Sequence, residues 1–541
     1  MTTSLTTNIT FLQQHDTLVT LPILAAIFFI LNLVLLLTYL SIIYPYFYSP
    51  FRHLPRPKGE IPLLGQHTTP YTKPLGTTYL NWIHTVPNTG LLTYRSILNQ
   101  DRLLLTSPKA IAEVLVRNTY AYTKHPSERA VVRRFLGSGL TISEGEVHKF
   151  QRRAIAPVYA LRNVREFYGV FWNKAWELVT GVSSSLSSPH GDGGMGKGRW
   201  CVEELNQWAN RTTMDIIGLA ALGKDFGCLG GDGMKGELFS TYQEIFTWAP
   251  EKDVFMALSR VLPRTLVQWL PWRVNERIDV TSTTLRDACR GLVREKMDEF
   301  RSAEGKGEDL VSRMMRLGAW EAEGFVEQLL TIIAAGHETS ASAFTWACYL
   351  LAQNKPAQER LRAELREVIP LLVTQNPSSE TLANTLESLP YLNAVCNEVL
   401  RFIPPVPLIR RVSTISTTIL GHPIPPGTQV LLCPYAINRS PELWGPTAGE
   451  FRPERWISPE TGKANNDGGM VSNYANLTFS HGPRSCIGHN FARAEMRTLL
   501  AVFVSSLRFE MERPLEEVVP VGIVSVRPRD GLRLRIEMVQ D

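Results

Sequence analysis

Residues 479–488 read Phe-Ser-His-Gly-Pro-Arg-Ser-Cys-Ile-Gly and run straight into a helical pattern over Asn490–Leu500. One cysteine, Cys486, sits at the loop-to-helix junction between two glycines, with an arginine two residues before it. A helix N-terminus stabilises negative charge, so Cys486 is placed to be a thiolate. Gly482 and Gly488 allow the backbone to approach a flat group closely, and Arg484 can pair with a carboxylate. A lone cysteine is more often a small buried hydrophobe. His481, Cys486 and His489 could also be metal ligands, but they lack the paired Cys-x-x-Cys or His-x-x-x-His elements of a zinc site.

A thiolate is also the axial ligand that pushes electron density into haem iron and favours cleavage of the O–O bond. The frame Phe479-x-x-Gly482-x-Arg484-x-Cys486-x-Gly488 resembles the haem-binding loop of the cytochrome P450 family at every fixed position. The resemblance implies haem b (iron protoporphyrin IX) with Cys486 as axial ligand and Arg484 on a propionate. It implies a mainly α fold with a small β region, a helical triangular prism. Haem would lie between a long central helix and the helix after the cysteine, behind one N-terminal transmembrane helix.

Four further motifs support this reading. Phe325–Leu351 is a long apolar pattern containing Ala-Gly-His-Glu-Thr-Ser at 335–340. Gly336, Ser340 and Thr339 predict a local distortion there. Glu338 and Thr339 form an acid–alcohol pair suited to proton relay, and the segment resembles the family's oxygen-activating helix. Glu398-Val-Leu-Arg401 sets an acid and a base one turn apart among apolar neighbours, so a buried pair is expected. With Arg455 of Phe451-Arg-Pro-Glu-Arg-Trp456 it resembles the family's structural triad, Trp456 standing in the last aromatic place. His148 and Arg152 share a helical face, and Arg411 follows Pro404-Pro-Val-Pro407. The resemblance places His148, Arg152 and Arg411 on the haem propionates, with Arg410 as the rival of Arg411. Departures are Ser416, where an acid is common in relatives, and Arg56, where a glycine is more usual. For the basic pairs the bland alternative is a solvated face.

The chain has 541 residues, 44% hydrophobic and 20% charged, with net charge +5 and seven scattered cysteines. That charge is too small and too dispersed to argue for nucleic acid, and the odd cysteine count suits a reducing compartment. No charged residue or histidine occurs from Thr17 to Phe51, and Leu18–Ile43 is long enough to span a bilayer. Arg52, Arg56 and Lys58 follow it, which by the positive-inside rule leaves the N-terminus lumenal. The expected organisation is a lumenal segment over 1–17, an anchor over 18–43, a proline-rich hinge over 44–60 and a cytosolic catalytic domain over 61–541. This is the layout of a single-pass protein of the endoplasmic reticulum membrane. Asn8-Ile9-Thr10 is a glycosylation sequon on the lumenal side. Strand-like runs at Thr93–Thr106, Thr417–Leu432 and Val521–Met538 predict the β portion. Polar stretches at Ser183–Gly198, Gly227–Gly236 and Thr461–Ser472 read as surface loops.

By the resemblance, the chain is a monooxygenase acting on a lipophilic small molecule, with terpenoid, polyketide or alkaloid tailoring in fungal secondary metabolism as its setting. Thr119–Leu140, Phe325–Thr331, Val406–Ile409 and Gly522–Val526 would line its pocket. No Gly-x-Gly-x-x-Gly fingerprint opens a helix after a strand. Electrons would therefore come from a separate NADPH-dependent flavoprotein reductase, with cytochrome b5 as a second donor. The basic residues Lys149, Arg153, Arg493 and Arg497 would flank the docking face. Two other classes compete: a haem-thiolate isomerase or dehydratase that needs no reductase, and a non-catalytic haem sensor. Hydroxylation, epoxidation and multi-step oxidation are not separated by sequence.

Overall fold

The computed structural model describes residues 23–66, 74–186, 200–230, 236–246, 251, 254–255, 258, 266–267, 273–514, 518–522 and 524–539. Asn8, the proposed lumenal segment and the first residues of the apolar run lie outside these. Parts of the polar stretches near 183–198 and 227–236 do so as well.

Most of the chain is helical, and the β portion is small. Leu91–Arg95 (β1) and Asp101–Leu105 (β2) form the early hairpin expected within Thr93–Thr106. They join Tyr122–Thr123 (β3), Ile409–Ser413 (β4) and Gln429–Leu432 (β5) in the order β1-β2-β5-β4-β3. The β2–β5 contact is parallel, with Leu104 opposite Leu431. Every β1 residue is buried, as a strand covered on both faces requires. A second sheet places Arg533–Met538 between Cys201–Glu204 and Leu507–Met511.

Two helices frame the interior. The central helix, Ala322–Gln353, is apolar on nearly all sides and buried along its length, as an all-round hydrophobic helix must be. His489–Ser506, the cysteine-side helix, packs across it, and Phe344 meets Phe503 edge-on at 5.4 Å between ring centres. Both rings are 0% exposed. Burial of this kind stabilises by about 1.5–3 kcal/mol per side chain.

The structure differs from the sequence reading in two places. The central helix is unbroken from Ala322 to Gln353, so the distortion expected near Thr339 is absent. Gly336 acts there as a spacer: a Cβ on it would stand 2.7 Å from Cδ1 of Ile217 on the neighbouring helix Leu205–Leu222. The apolar N-terminal helix, long enough to cross a membrane, does not stop at Ile43 but runs from Ile23 to Tyr48. Its last ten residues, Tyr39–Tyr48, widen to an i→i+5 register that carries Pro45 inside the helix.

Candidate active site

Cys486 lies two residues before Gly488, the N-cap of the cysteine-side helix. Its own N–H donates to the Phe479 carbonyl at 2.8 Å, which closes the loop. The side chain is enclosed by protein yet accessible, so it faces an interior space rather than the outer surface. Burial pushes the Cys486 thiol up, and the Gly488 N–H and Arg152 only partly oppose it. The helix N-terminus therefore does not ionise this thiol unaided, because desolvation outweighs the local dipole. Gly482 has φ +70°, and a Cβ on it would stand 2.3 Å from the Leu115 carbonyl oxygen, so it is kept for contact with protein.

A cationic cluster faces the same interior. Arg484 is 3% exposed and pairs with Glu144, but none of its three nitrogens makes a well-formed hydrogen bond. Arg411 is buried, and the loss of water, with Arg484 beside it, brings its guanidinium down to about 10. Arg410 instead pairs with Glu128 at 3.1 Å, which singles out Arg411 as the member of this cluster. Arg152 donates to the carbonyl and hydroxyl of Ser485, next to Cys486. His148 is 3% exposed, with Nδ1 3.2 Å from the Tyr120 hydroxyl. Burial, Arg484 and Lys124 lower its pKa to about 4, so it is neutral at pH 7 and offers a hydrogen bond rather than the charge expected of it.

Lys124 was not legible in the sequence. Its Nζ lies 3.4 Å from Glu144, and burial with Arg411 and Arg484 nearby brings it to about 7. It reaches the cluster because β3 pairs with β4, putting Thr123 opposite Val412 and so beside Arg411. Glu144 is held below the ordinary carboxylate range: burial opposes its charge, but Lys124 and the two arginines outweigh that. Three basic side chains, Lys124, Arg411 and Arg484, thus share a single carboxylate, and the Arg484 guanidinium has no proper acceptor. That donor set suits a group carrying two carboxylates.

Beyond the cluster, Ala335 and Thr339 are accessible although the helix around them is buried, and at i and i+4 they share one face. The Thr339 hydroxyl donates to the Ala335 carbonyl at 2.8 Å. Glu338 is 4% exposed and turns away, accepting from the Ser525 hydroxyl at 2.7 Å. Consecutive helical residues point about 100° apart, so the acid and the alcohol do not form a bonded pair. Burial raises Glu338, with Arg527 and Ser525 opposing. Phe325, Val326, Leu329, Leu330 and Thr331 are all buried. Thr331 ties to the Leu136 carbonyl at 2.9 Å, so that stretch holds the segment before residue 140 rather than lining open space. Glu495, also missed, is 0% exposed beside Ser340, and burial pushes it up to about 8.

Glu398, Arg401 and Arg455 do meet. Glu398 and Arg401 are both 0% exposed and form two bonds, at 2.7 and 2.8 Å, while Arg455 adds a third at 3.0 Å. The remaining Arg401 donors reach the carbonyls of Asn438, Ala448 and Glu450. Trp456 donates its indole N–H to Glu398 at 2.9 Å, a bond that phenylalanine could not make. Burial works against the Glu398 charge, but these donors hold it below the ordinary carboxylate range.

The profile of one family, cytochrome P450, matches residues 56–530. The chain belongs to the cytochrome P450 family. Similar proteins include cytochrome P450 monooxygenase sphH of Aspergillus fumigatus, 39% identical over 93% of this chain and 91% of that protein. Cytochrome P450 monooxygenase ptmK of Penicillium ochrochloron is 35% identical over 92% and 96%. Cytochrome P450 monooxygenase FUM15 of Gibberella moniliformis is 36% identical over 87% and 85%. The cofactor of the family is haem with a cysteine thiolate ligand. In this P450, Cys486 and the cluster of Lys124, Arg152, Arg411 and Arg484 fit the iron side and the propionate side of that group.

Proposed function

We propose that this cytochrome P450 inserts one atom of dioxygen into a bulky lipophilic small molecule in fungal secondary metabolism, of terpenoid, polyketide or alkaloid type. Electrons come from an NADPH-dependent flavoprotein reductase in the endoplasmic reticulum membrane. The observation that carries the reading is the buried cationic cluster beside the Cys486 loop, where Arg152 donates to the Ser485 carbonyl; accessible Thr339 on the central helix supports it. Its monooxygenase relatives support the reaction class.

Haem, when bound, supplies oxygen activation on a thiolate-ligated iron. The protein supplies the rest. Arg411, Arg484 and Lys124 would hold the propionates by charge, and His148 and Tyr120 by hydrogen bonds. Thr339 keeps a hydroxyl proton at the accessible face of the central helix, lent to the Ala335 carbonyl at rest. Glu338, with its raised pKa, can carry a proton one residue away and fixes the segment at Ser525. The triad around Glu398 holds the thiolate-side loops and does no chemistry. Of the four basic residues expected at the docking face, Lys149 and Arg153 are exposed. Arg497 is committed inward to Asn393 and Tyr168, and Arg493 lies over the Phe479 ring. The donor face is thus centred on helix Gly145–Ile155.

The test is the carbon monoxide difference spectrum of the reduced protein in membranes, beside Cys486→Ser. A red-shifted Soret band that disappears in the variant is expected; a folded, haem-loaded parent without it would overturn the assignment. Thr339→Ala should keep the band but divert electrons to hydrogen peroxide, and unchanged coupling would remove Thr339 from proton delivery.

A further inference from the structure

Glu144 is a carboxylate that no step of the reaction uses, and its place follows from how helix Gly145–Ile155 begins. It is the N-cap of that helix, and an N-cap side chain ordinarily accepts from the first N–H groups of its own helix. The Glu144 side chain makes no such bond. Gly145 follows with φ +57° and nothing near its Cβ position, so glycine is there for the backbone turn alone. The anion that favours a helix N-terminus is instead Glu146, which is 84% exposed and pairs with Lys149 at 2.5 Å. The helix therefore does not need the Glu144 charge.

Turned away from its own helix, the carboxylate meets cations from three other segments. Oε1 accepts the Lys124 backbone N–H at 2.9 Å and lies 3.4 Å from Lys124 Nζ, just past β3. Oε2 pairs with Arg484 of the cysteine loop. Arg411 on β4 is close enough for its charge to act on both Glu144 and Arg484. The side chains of Glu144 and Arg484 are 9% and 3% exposed, so these charges are poorly screened.

The two oxygens are engaged differently. Oε1 takes a directed hydrogen bond. Oε2 has none, and neither has any nitrogen of Arg484, so their contact is one of charge without hydrogen-bond geometry. Arg484 thus keeps its donors for another acceptor. The same three cations fit the propionate side of haem, so a propionate and Glu144 draw on shared charge. Like charges in a poorly screened interior repel, and that repulsion is what haem binding adds to the Glu144 account.

We propose that Glu144 is a fixed competitor of the haem propionates. It draws on the charge of Lys124, Arg411 and Arg484 and so sets how firmly the cofactor is retained. Through Oε1 it positions Lys124, through Oε2 it acts as counter-charge, and it takes no part in oxygen chemistry. This rests on the haem-thiolate reading of the cysteine loop.

The test is the rate at which the full-length ferric protein, in detergent micelles, gives up haem to excess apomyoglobin. Glu144→Gln keeps an acceptor for the Lys124 N–H and removes the charge, so release should slow by about threefold or more. Glu146→Gln removes the same charge from the exposed side of the helix start and should leave the rate unchanged. A purely structural Glu144 predicts the opposite sign, because a loosened site releases haem faster. Loss of the Lys124 proton in Glu144→Gln would cancel the gain, so the same substitution is also made in Lys124→Met protein, where release should again slow. Slower release in either background, with Glu146→Gln at the parent rate, supports the competitor. Release at least as fast as the matching parent in both backgrounds, equal slowing by Glu146→Gln, or failure of both Gln variants to load haem overturns it. A parent without the red-shifted carbon monoxide band overturns the haem-thiolate reading instead.

Discussion

Glu398 shows how a single carboxylate can organise a large volume. It accepts from Arg401 on its own helix and from the Arg452 backbone, Arg455 and Trp456, which together tie the 452–456 segment to that helix. Removing the acceptor strands buried cations, so Glu398→Ala should cost about 3–5 kcal/mol and with it haem loading. Trp456→Phe removes one donor and leaves the others, so the loss should be about 1–3 kcal/mol with haem still bound. Denaturant midpoints of the loaded proteins would check both, and equal midpoints for parent and Trp456→Phe would show that the indole bond contributes nothing. Glu398 and Arg401 were legible because their spacing and apolar neighbours are local. The indole contribution was not, since it depends on where a loop 58 residues away comes to rest. Lys124 and Glu495 escaped for the same reason: neither belongs to a spaced pattern, and only tertiary contact gives them their shifted acidities.

At the scale of the element, the central helix is decided by its neighbour more than by its own propensities. Glycine, threonine and serine in mid-helix argue for a kink, yet Ile217 packs against Gly336 and the helix stays regular. Gly336→Ala gains helix propensity of about 1 kcal/mol and meets overpacking of about 1–3 kcal/mol, so net destabilisation is expected. Adding Ile217→Val should recover part of it, and simple additivity in that double-mutant cycle would deny the contact. His337 sits one position on, fully buried, with Nδ1 2.8 Å from the Ile333 carbonyl and its ring 5.5 Å from that of Tyr242. Desolvation lowers it from 6.5 to about 4. Between those values the unfolded chain takes up a proton that the folded protein refuses. Stability from this group is therefore full above pH 6.5 and is lost as pH falls toward 4, by about 3 kcal/mol in all. The stability of His337→Asn should fall less steeply over that window than the parent's, and identical slopes would show that His337 is protonated in the fold.

Across the whole molecule, the helical class, the small sheet and the cysteine loop could be read from motifs in chain order. Which residues converge on the cofactor could be read only in part, because that depends on strands far apart in sequence. β2 ends at Leu105 and its parallel partner β5 begins at Gln429. Parallel strands this distant close slowly, since chain entropy must be lost before their contacts form. During translation, at roughly 5–20 residues per second, the first strand waits for the second on the order of half a minute. Throughout that interval β2 presents an open edge. A ribosome-bound chain arrested at residue 425 should therefore be held by chaperones, and free release of the chain from them at that length would show that the β2 edge needs no cover from β5. Closure of the sheet therefore comes late in the making of this enzyme, and the basic cluster on β3 and β4 gains its full frame only with it.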